Sequence, residues 1–281
     1  MNKILALAGL LFASSAYSEN ILNDQGKASE PLLQLLKLTG VSHDGSLGSI
    51  VKSTQSEWLR KPGTERWDIV DSFVGNKDKF FELFTKMDLI DQVDTQRKEY
   101  EHALWMGATF SRIKDRLNHL IELWSDGVRF NNLVILSGAR PLTDGEKSLA
   151  VSSYQLTDGS CPQTEAELMK MVYEKSEMPV EMRSRGMIFI DVPMQEIKDG
   201  IFARPTTGDT VCYWLKLKPL VGNCLVVSNQ PYVSYQDSVT KSLLPKEFSI
   251  ETVGKKSVDT KNGVYLDTLA RFLYQENKRL N

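Results

Sequence analysis

The chain has 281 residues, of which 41% are hydrophobic, and its 34 Lys and Arg against 36 Asp and Glu give a formal charge of −2. This is globular composition, and it excludes disordered, collagen-like and disulfide-rich miniprotein classes. The charge balance excludes a general nucleic-acid-binding surface, which needs a basic excess.

Met1 to Ser18 read as a secretory signal. Lys3 supplies the positive end, Ile4–Ala13 the apolar stretch, and Ala16 and Ser18 the small residues before a cleavage at Glu19. The stretch is too short for a permanent membrane helix, and no later segment is long and apolar enough to be a span. Cleavage removes one basic residue and leaves 33 basic against 36 acidic side chains, a formal charge of −3. A periplasmic or secreted location follows. Export exposes Cys161, Cys212 and Cys224 to oxidation. Three cysteines form at most one pair, the alternative being three small buried apolar side chains. Their spacing fits no zinc site.

Residues 19–99 read as a helical N-terminal extension. Leu32, Leu33, Leu35, Leu36 and Leu38 mark a short amphipathic helix ended by Gly40, and Ser-, Gly- and Lys-rich residues 41–64 read as loop. Trp67 to Ile90 carries Ile69, Val70, Phe73, Phe80, Phe81, Phe84 and Met87 near helical spacing, which predicts two helices meeting near Gly75.

Residues 100–281 alternate short apolar runs with helical patterns. The runs are 103–106, 133–136, 187–190, 224–227 and 248–253. The helices are predicted over 111–125, 165–175, 208–217, 233–243 and 264–278, and a long polar loop over the stretch that ends at Pro162. Continuous apolar strands alternating with helices predict an α/β fold: a doubly wound, mostly parallel five-stranded sheet of the Rossmann-like type. Such sheets bind ligands at the C-terminal edge of the strands. Gly107, Thr109, Ser137, Gly138, Arg140, Asp191, Asn229 and Gln230 should therefore converge.

Each strand end there feeds a helix N-terminus, which favours anions. Gly107 and Gly138 permit close backbone approach, and Arg112 and Arg140 offer forked donors suited to phosphate or carboxylate. An anionic ligand is expected, a phosphorylated one among the candidates. The fingerprints GxGxxG, GxxxxGK[ST] and GxSxG do not occur. Thr164 and Glu167 fit a capping box, while the neighbouring Glu165 is a candidate acid or base in the pocket. Thr206, Thr207 and Asp209 permit the same two readings: a cap formed by Thr206 and Asp209, or ligand-facing hydroxyls with Asp209 as a second catalytic carboxylate. Asn229, Gln230, Tyr232 and Tyr235 form a polar and aromatic cluster, in which Tyr235 also suits plain helix packing. His102 and His119 lie away from this edge and His43 lies in a loop, so a Ser-His-Asp triad is not expected.

The order of these motifs resembles the YdcF/SanA/ElyC family over about residues 100–255. The matching segments are Met106-Gly107-Ala108 with Arg112 and Arg116, Ser137-Gly138-Ala139-Arg140, Glu165-Ala166, Thr206-Thr207-Gly208-Asp209-Thr210 and Val227-Ser228-Asn229-Gln230-Pro231. The family often carries His and Arg after the fourth strand, where this chain has Gln230-Pro231-Tyr232 and Tyr235-Gln236. The resemblance implies an envelope-associated protein, with some members linked to barrier function or glycan-precursor metabolism. One cytoplasmic member is linked to S-adenosylmethionine binding, a role that export argues against. Three readings stand. The first is an envelope enzyme on an anionic, phosphorylated or lipid-linked glycan, with Arg112 and Arg140 holding the anion. The second is a non-catalytic binding or scaffold protein on the same fold. The third is a secreted protein whose residues 19–99 meet a protein partner.

Overall fold

The computed structural model describes residues 21–281 apart from 62, 63, 65–68, 70, 72–75, 158, 199 and 260. The signal segment, and the Trp67, Val70, Phe73 and Gly75 part of the expected helix pair, lie outside the described residues. Three helices occupy the described N-terminal region: α1 (Glu30–Leu38), α2 (Leu47–Glu57) and α3 (Lys77–Lys86). They are followed by β1 (Glu99–Met106), α4 (Phe110–Ser125), β2 (Arg129–Gly138), α5 (Asp144–Tyr154), α6 (Glu165–Glu174), the single turn α7 (Val180–Arg183) and β3 (Gly186–Val192). A hairpin of β4 (Gln195–Lys198) and β5 (Ile201–Ala203) comes next. The chain ends with α8 (Thr207–Lys216), β6 (Asn223–Asn229), α9 (Val233–Leu243), β7 (Ser249–Lys255) and α10 (Asn262–Leu280).

The five main strands form one parallel sheet in the order β3-β2-β1-β6-β7. The chain winds outward from β1 in one direction, then returns and winds in the other, which places the switch point between β1 and β6. The strands are apolar throughout because each face has its own cover. Ala103, Trp105, Leu133, Ile135, Leu225 and Val227 point to one side, against Ile113, Leu117 and Leu120 of α4 and Leu168, Met169 and Val172 of α6. Leu104, Met106, Val134, Leu136 and Val226 point to the other, against Val211 and Trp214 of α8. Alternate residues of one strand thus feed two cores.

A third core joins the N-terminal region to the last helix. Leu32, Leu35 and Leu36 of α1, Ile50 and Val51 of α2, and Phe80, Leu83 and Phe84 of α3 pack with Tyr265, Leu266, Leu269, Ala270, Phe272 and Leu273 of α10. The Phe84 ring stacks on Tyr265 at 4.4 Å between centroids. Gln230 Nε2 donates to Asp88 O (2.7 Å) and Asp91 O (3.0 Å), which ties the end of β6 to the same region.

Two segments expected as loop are helical. Residues 47–57 form α2, capped when Ser46 accepts from Ser49 N and anchored by buried Ile50, Val51 and Thr54. Residues 144–154, within the long polar loop, form α5 on a full capping box between Thr143 and Glu146. The exposed hairpin β4–β5 was also not expected. Cys161, Cys212 and Cys224 are all free thiols, and burial pushes the Cys224 thiol up to about 12.

Candidate functional site

A cavity of about 190 Å³ lies at the C-terminal edge of the sheet. Its walls come from the end of β1 (Gly107, Ala108, Thr109), the end of β2 (Gly138, Arg140), the first residue of α6 (Glu165) and the start of α8 (Thr206, Thr207). Arg116, Arg204, Arg60, Arg271, Tyr232, Tyr235 and Gln236 complete it. Five arginines and one carboxylate therefore line one small space. A second hollow, of about 580 Å³ beside α6, mixes Lys170 and Lys175 with Glu167 and Glu174 and receives no strand end.

Arg140 and Glu165 meet because β2 and α6 are stitched together beyond the sheet. Glu165 N donates to Arg140 O at 2.9 Å, and Pro141 bridges to Thr164. Arg140 Nε donates to Glu165 Oε2 at 3.1 Å, and its two terminal nitrogens fork onto the Glu146 carboxylate at 2.9 Å each. Nη1 and Nη2 also reach Pro141 O and Ala108 O, both at 3.3 Å. Every nitrogen of this guanidinium is thus engaged with protein acceptors, so Arg140 orients the edge more than it offers donors to a ligand. Burial pushes the Glu165 carboxyl above its ordinary range, against the pull of Arg140. For Glu146 burial acts in the same direction, but the hydrogen bonds from Arg140 and Thr143 outweigh it and hold the carboxyl below its ordinary value.

Arg116 is the buried cation that sequence reasoning placed only as a family match. It is 1% exposed, and it donates to Asn229 Oδ1 (2.9 Å), Met106 O (3.0 Å) and Gly107 O (2.8 Å). It therefore clamps the ends of β1 and β6 across the switch point. Thr109 is the N-cap of α4, and its side chain makes no capping bond, so this hydroxyl on the cavity wall is not spent on the helix.

Of the residues singled out in the sequence, Gly107, Ala108, Thr109, Arg116, Gly138, Arg140, Glu165, Thr206, Thr207, Tyr232 and Tyr235 line the cavity. The others sit behind or beside it. Ser137 is fully buried and donates to Ile190 O at 2.7 Å. Asn229 holds Arg116, and Gln230 holds the N-terminal region. Arg112 is spent on Asp259, donating at 2.8 and 2.9 Å, and lies over the Tyr232 ring. Asp209 completes a capping box with Thr206, accepting from its N–H and hydroxyl at 2.7 Å each, and is not on the cavity wall. Thr164 caps α6 by accepting from Glu167 N, but Glu167 accepts from Gln163 N at 2.6 Å instead of closing the box. Asp191 is not on the cavity wall either. Arg60, Arg204, Arg271 and Gln236 were missed, because nothing local in the sequence marks them as facing the edge.

His102 and His119 are buried away from the cavity, and His43 is exposed. Among the described residues no group of three or more His, Cys, Asp or Glu is placed to hold a metal ion, and no helix is long and apolar enough to cross a membrane. The fold and cavity define a Rossmann-like α/β protein with a cationic strand-edge cleft. No protein-family model, curated protein or solved structure matches the chain.

Proposed function

We propose that this chain binds a phosphorylated anion in the strand-edge cavity, as the head group of an envelope glycan or its precursor, and that it works outside the cytoplasm. One observation carries the reading: five arginines and the N-termini of α4, α6 and α8 surround a space lined by a single carboxylate. The volume is below the roughly 300–1,000 Å³ of pockets that enclose drug-sized ligands. A head group fits, while a glycan or lipid tail extends outward. The motif order shared with the YdcF/SanA/ElyC family supports the envelope setting, as does the signal-like leader.

Glu165 is the candidate proton donor. Burial favours its protonated form, and it faces the anion site, where a leaving oxygen needs a proton. Asp209, spent on its cap, is the weaker candidate. That cap also favours the second reading, a binding protein without chemistry on the same cleft.

A thermal-shift screen with orthophosphate, phosphosugars and undecaprenyl-phosphate analogues tests the binding. The expected result is a stabilisation by phosphorylated compounds that falls in Arg204→Gln, and no shift with any anion overturns the reading. Hydrolysis of a phosphosugar lost in Glu165→Gln separates enzyme from binding protein.

A further inference from the structure

Two groups on one side of the cavity have capacity that the protein leaves unused. Arg271 Nε and Nη2 donate to Asp267 Oδ2 and Oδ1 at 3.0 and 3.1 Å, which fixes the guanidinium and leaves Nη1 without a hydrogen-bond partner among the described residues. Gln236 is 5% exposed, lines the same cavity, and its Oε1 is buried with no partner. A buried acceptor without a donor has lost its water and gained nothing in return, so such a group marks a place where a ligand donor belongs.

Construction supports this. Asp267, 1% exposed, also accepts from Arg60 N at 3.1 Å, so one buried carboxylate sets both Arg271 and the backbone that carries Arg60. This wall comes from α9, α10 and the segment after α2, whereas the strand-edge wall comes from β1, β2 and α8. The N-terminal region is thereby part of the cavity itself. The cavity volume, about 190 Å³, is several times the roughly 30 Å³ share of one water molecule, which leaves room beyond a single phosphoryl group.

We infer that the wall of Arg271, Arg60 and Gln236 is a second subsite, and that the cleft selects a sugar diphosphate: one phosphoryl group at the strand edge, the second on Arg271, and an adjoining hydroxyl donating to Gln236. This rests on the anion-binding reading above and names its substrate class. Arg271 and Gln236 act as specificity-determining residues.

Calorimetric titration of the full chain at constant ionic strength with orthophosphate, pyrophosphate and glucose 1-phosphate tests it. Wild type is expected to bind pyrophosphate about tenfold or more tightly than orthophosphate, as a further charge-assisted hydrogen bond provides. Arg271→Gln, which keeps an amide donor on the Asp267 side, is expected to erase that preference, with pyrophosphate losing about tenfold more affinity than orthophosphate. Gln236→Leu is expected to weaken glucose 1-phosphate about fivefold and leave pyrophosphate unchanged. Equal affinity for the two phosphates in wild type, or equal losses for both in Arg271→Gln, overturns the subsite while the anion reading stands. Binding of none of the three overturns both.

Discussion

Glu165 occupies the space that a side chain at position 107 would need. A Cβ on Gly107 would overlap Glu165 Oε1, lie within 3.0 Å of its Cδ and stand 3.1 Å from Leu136 O. The glycine at the end of β1 thus leaves room for a carboxylate that arrives from α6, which would have to shift to admit a larger residue. This is a more specific demand than a turn, because the Gly107 backbone itself is not in the left-handed region. Gly107→Ala is expected to displace Glu165 from Arg140 and to cost about 1–3 kcal/mol, the usual range for overpacking a fitted site. Chemical denaturation gives the cost, and the loss of phosphate-induced thermal stabilisation reports the displacement.

Arg140 stands between two carboxylates that are hardly exposed, with side-chain exposures of 5% for Glu146 and 14% for Glu165. Removing one partner of such a buried set costs about 3–5 kcal/mol, because the charges left behind have lost their counterion. Arg140→Ala is expected to fall in that range in a urea melt. Arg140→Ala combined with Glu146→Gln is expected to recover part of the loss, which additive effects would not do.

The pH dependence follows from Glu146. Its folded carboxyl lies below the ordinary value of 4.5, so the folded state binds a proton less readily than the unfolded chain. The stabilisation is complete above 4.5 and is lost as pH falls through the lower folded value. Glu165 is shifted upward and acts with the opposite sign, disfavouring the folded state as pH rises above the ordinary range. Urea melts from pH 7 to pH 3 are expected to show a steeper acid loss in wild type than in Glu146→Gln.

Much of the fold was legible because burial on two faces writes a simple pattern. Strands such as Leu133-Val134-Ile135-Leu136 are apolar at every position, and the sheet explains why. What escaped has equally physical causes. In α5 only Glu146 and Ala150 are buried, so no apolar stripe marks the helix, and the Thr143–Glu146 cap was its one local sign. In α2 three buried residues sit among serines and lysine that resemble a loop. At the site, the glycines, threonines and Glu165 adjoin strand ends and could be placed by topology. Arg116 and Arg271 sit on helices, and Arg60 follows one. Arg116 is held by Asn229, 113 residues away, and the backbone of Arg60 by Asp267, 207 residues away, while Arg271 is set by Asp267 one turn earlier on its own helix, a pairing that does not tell which way the helix faces. Arg112 and Arg116 both fall in the first turns of one helix, and only packing decides which of them faces the sheet.

The N-terminal region and α10 share one core, and Phe84 on Tyr265 is its most intimate ring contact. Both rings are fully buried. Phe84→Ala is expected to cost about 3–5 kcal/mol, the usual penalty for deleting a buried ring. A thermal melt should move as one transition, since α10 also packs on α9 of the sheet domain. Two separated transitions would mean that residues 21–89 unfold independently.

The anion cleft is tested most directly by a crystal structure of the full chain grown with pyrophosphate. The expected result is density in the strand-edge cavity within hydrogen-bond distance of Arg271 Nη1 and of the Thr109 or Thr207 hydroxyl. An empty cavity at a saturating concentration, or pyrophosphate bound only elsewhere on the surface, would contradict it.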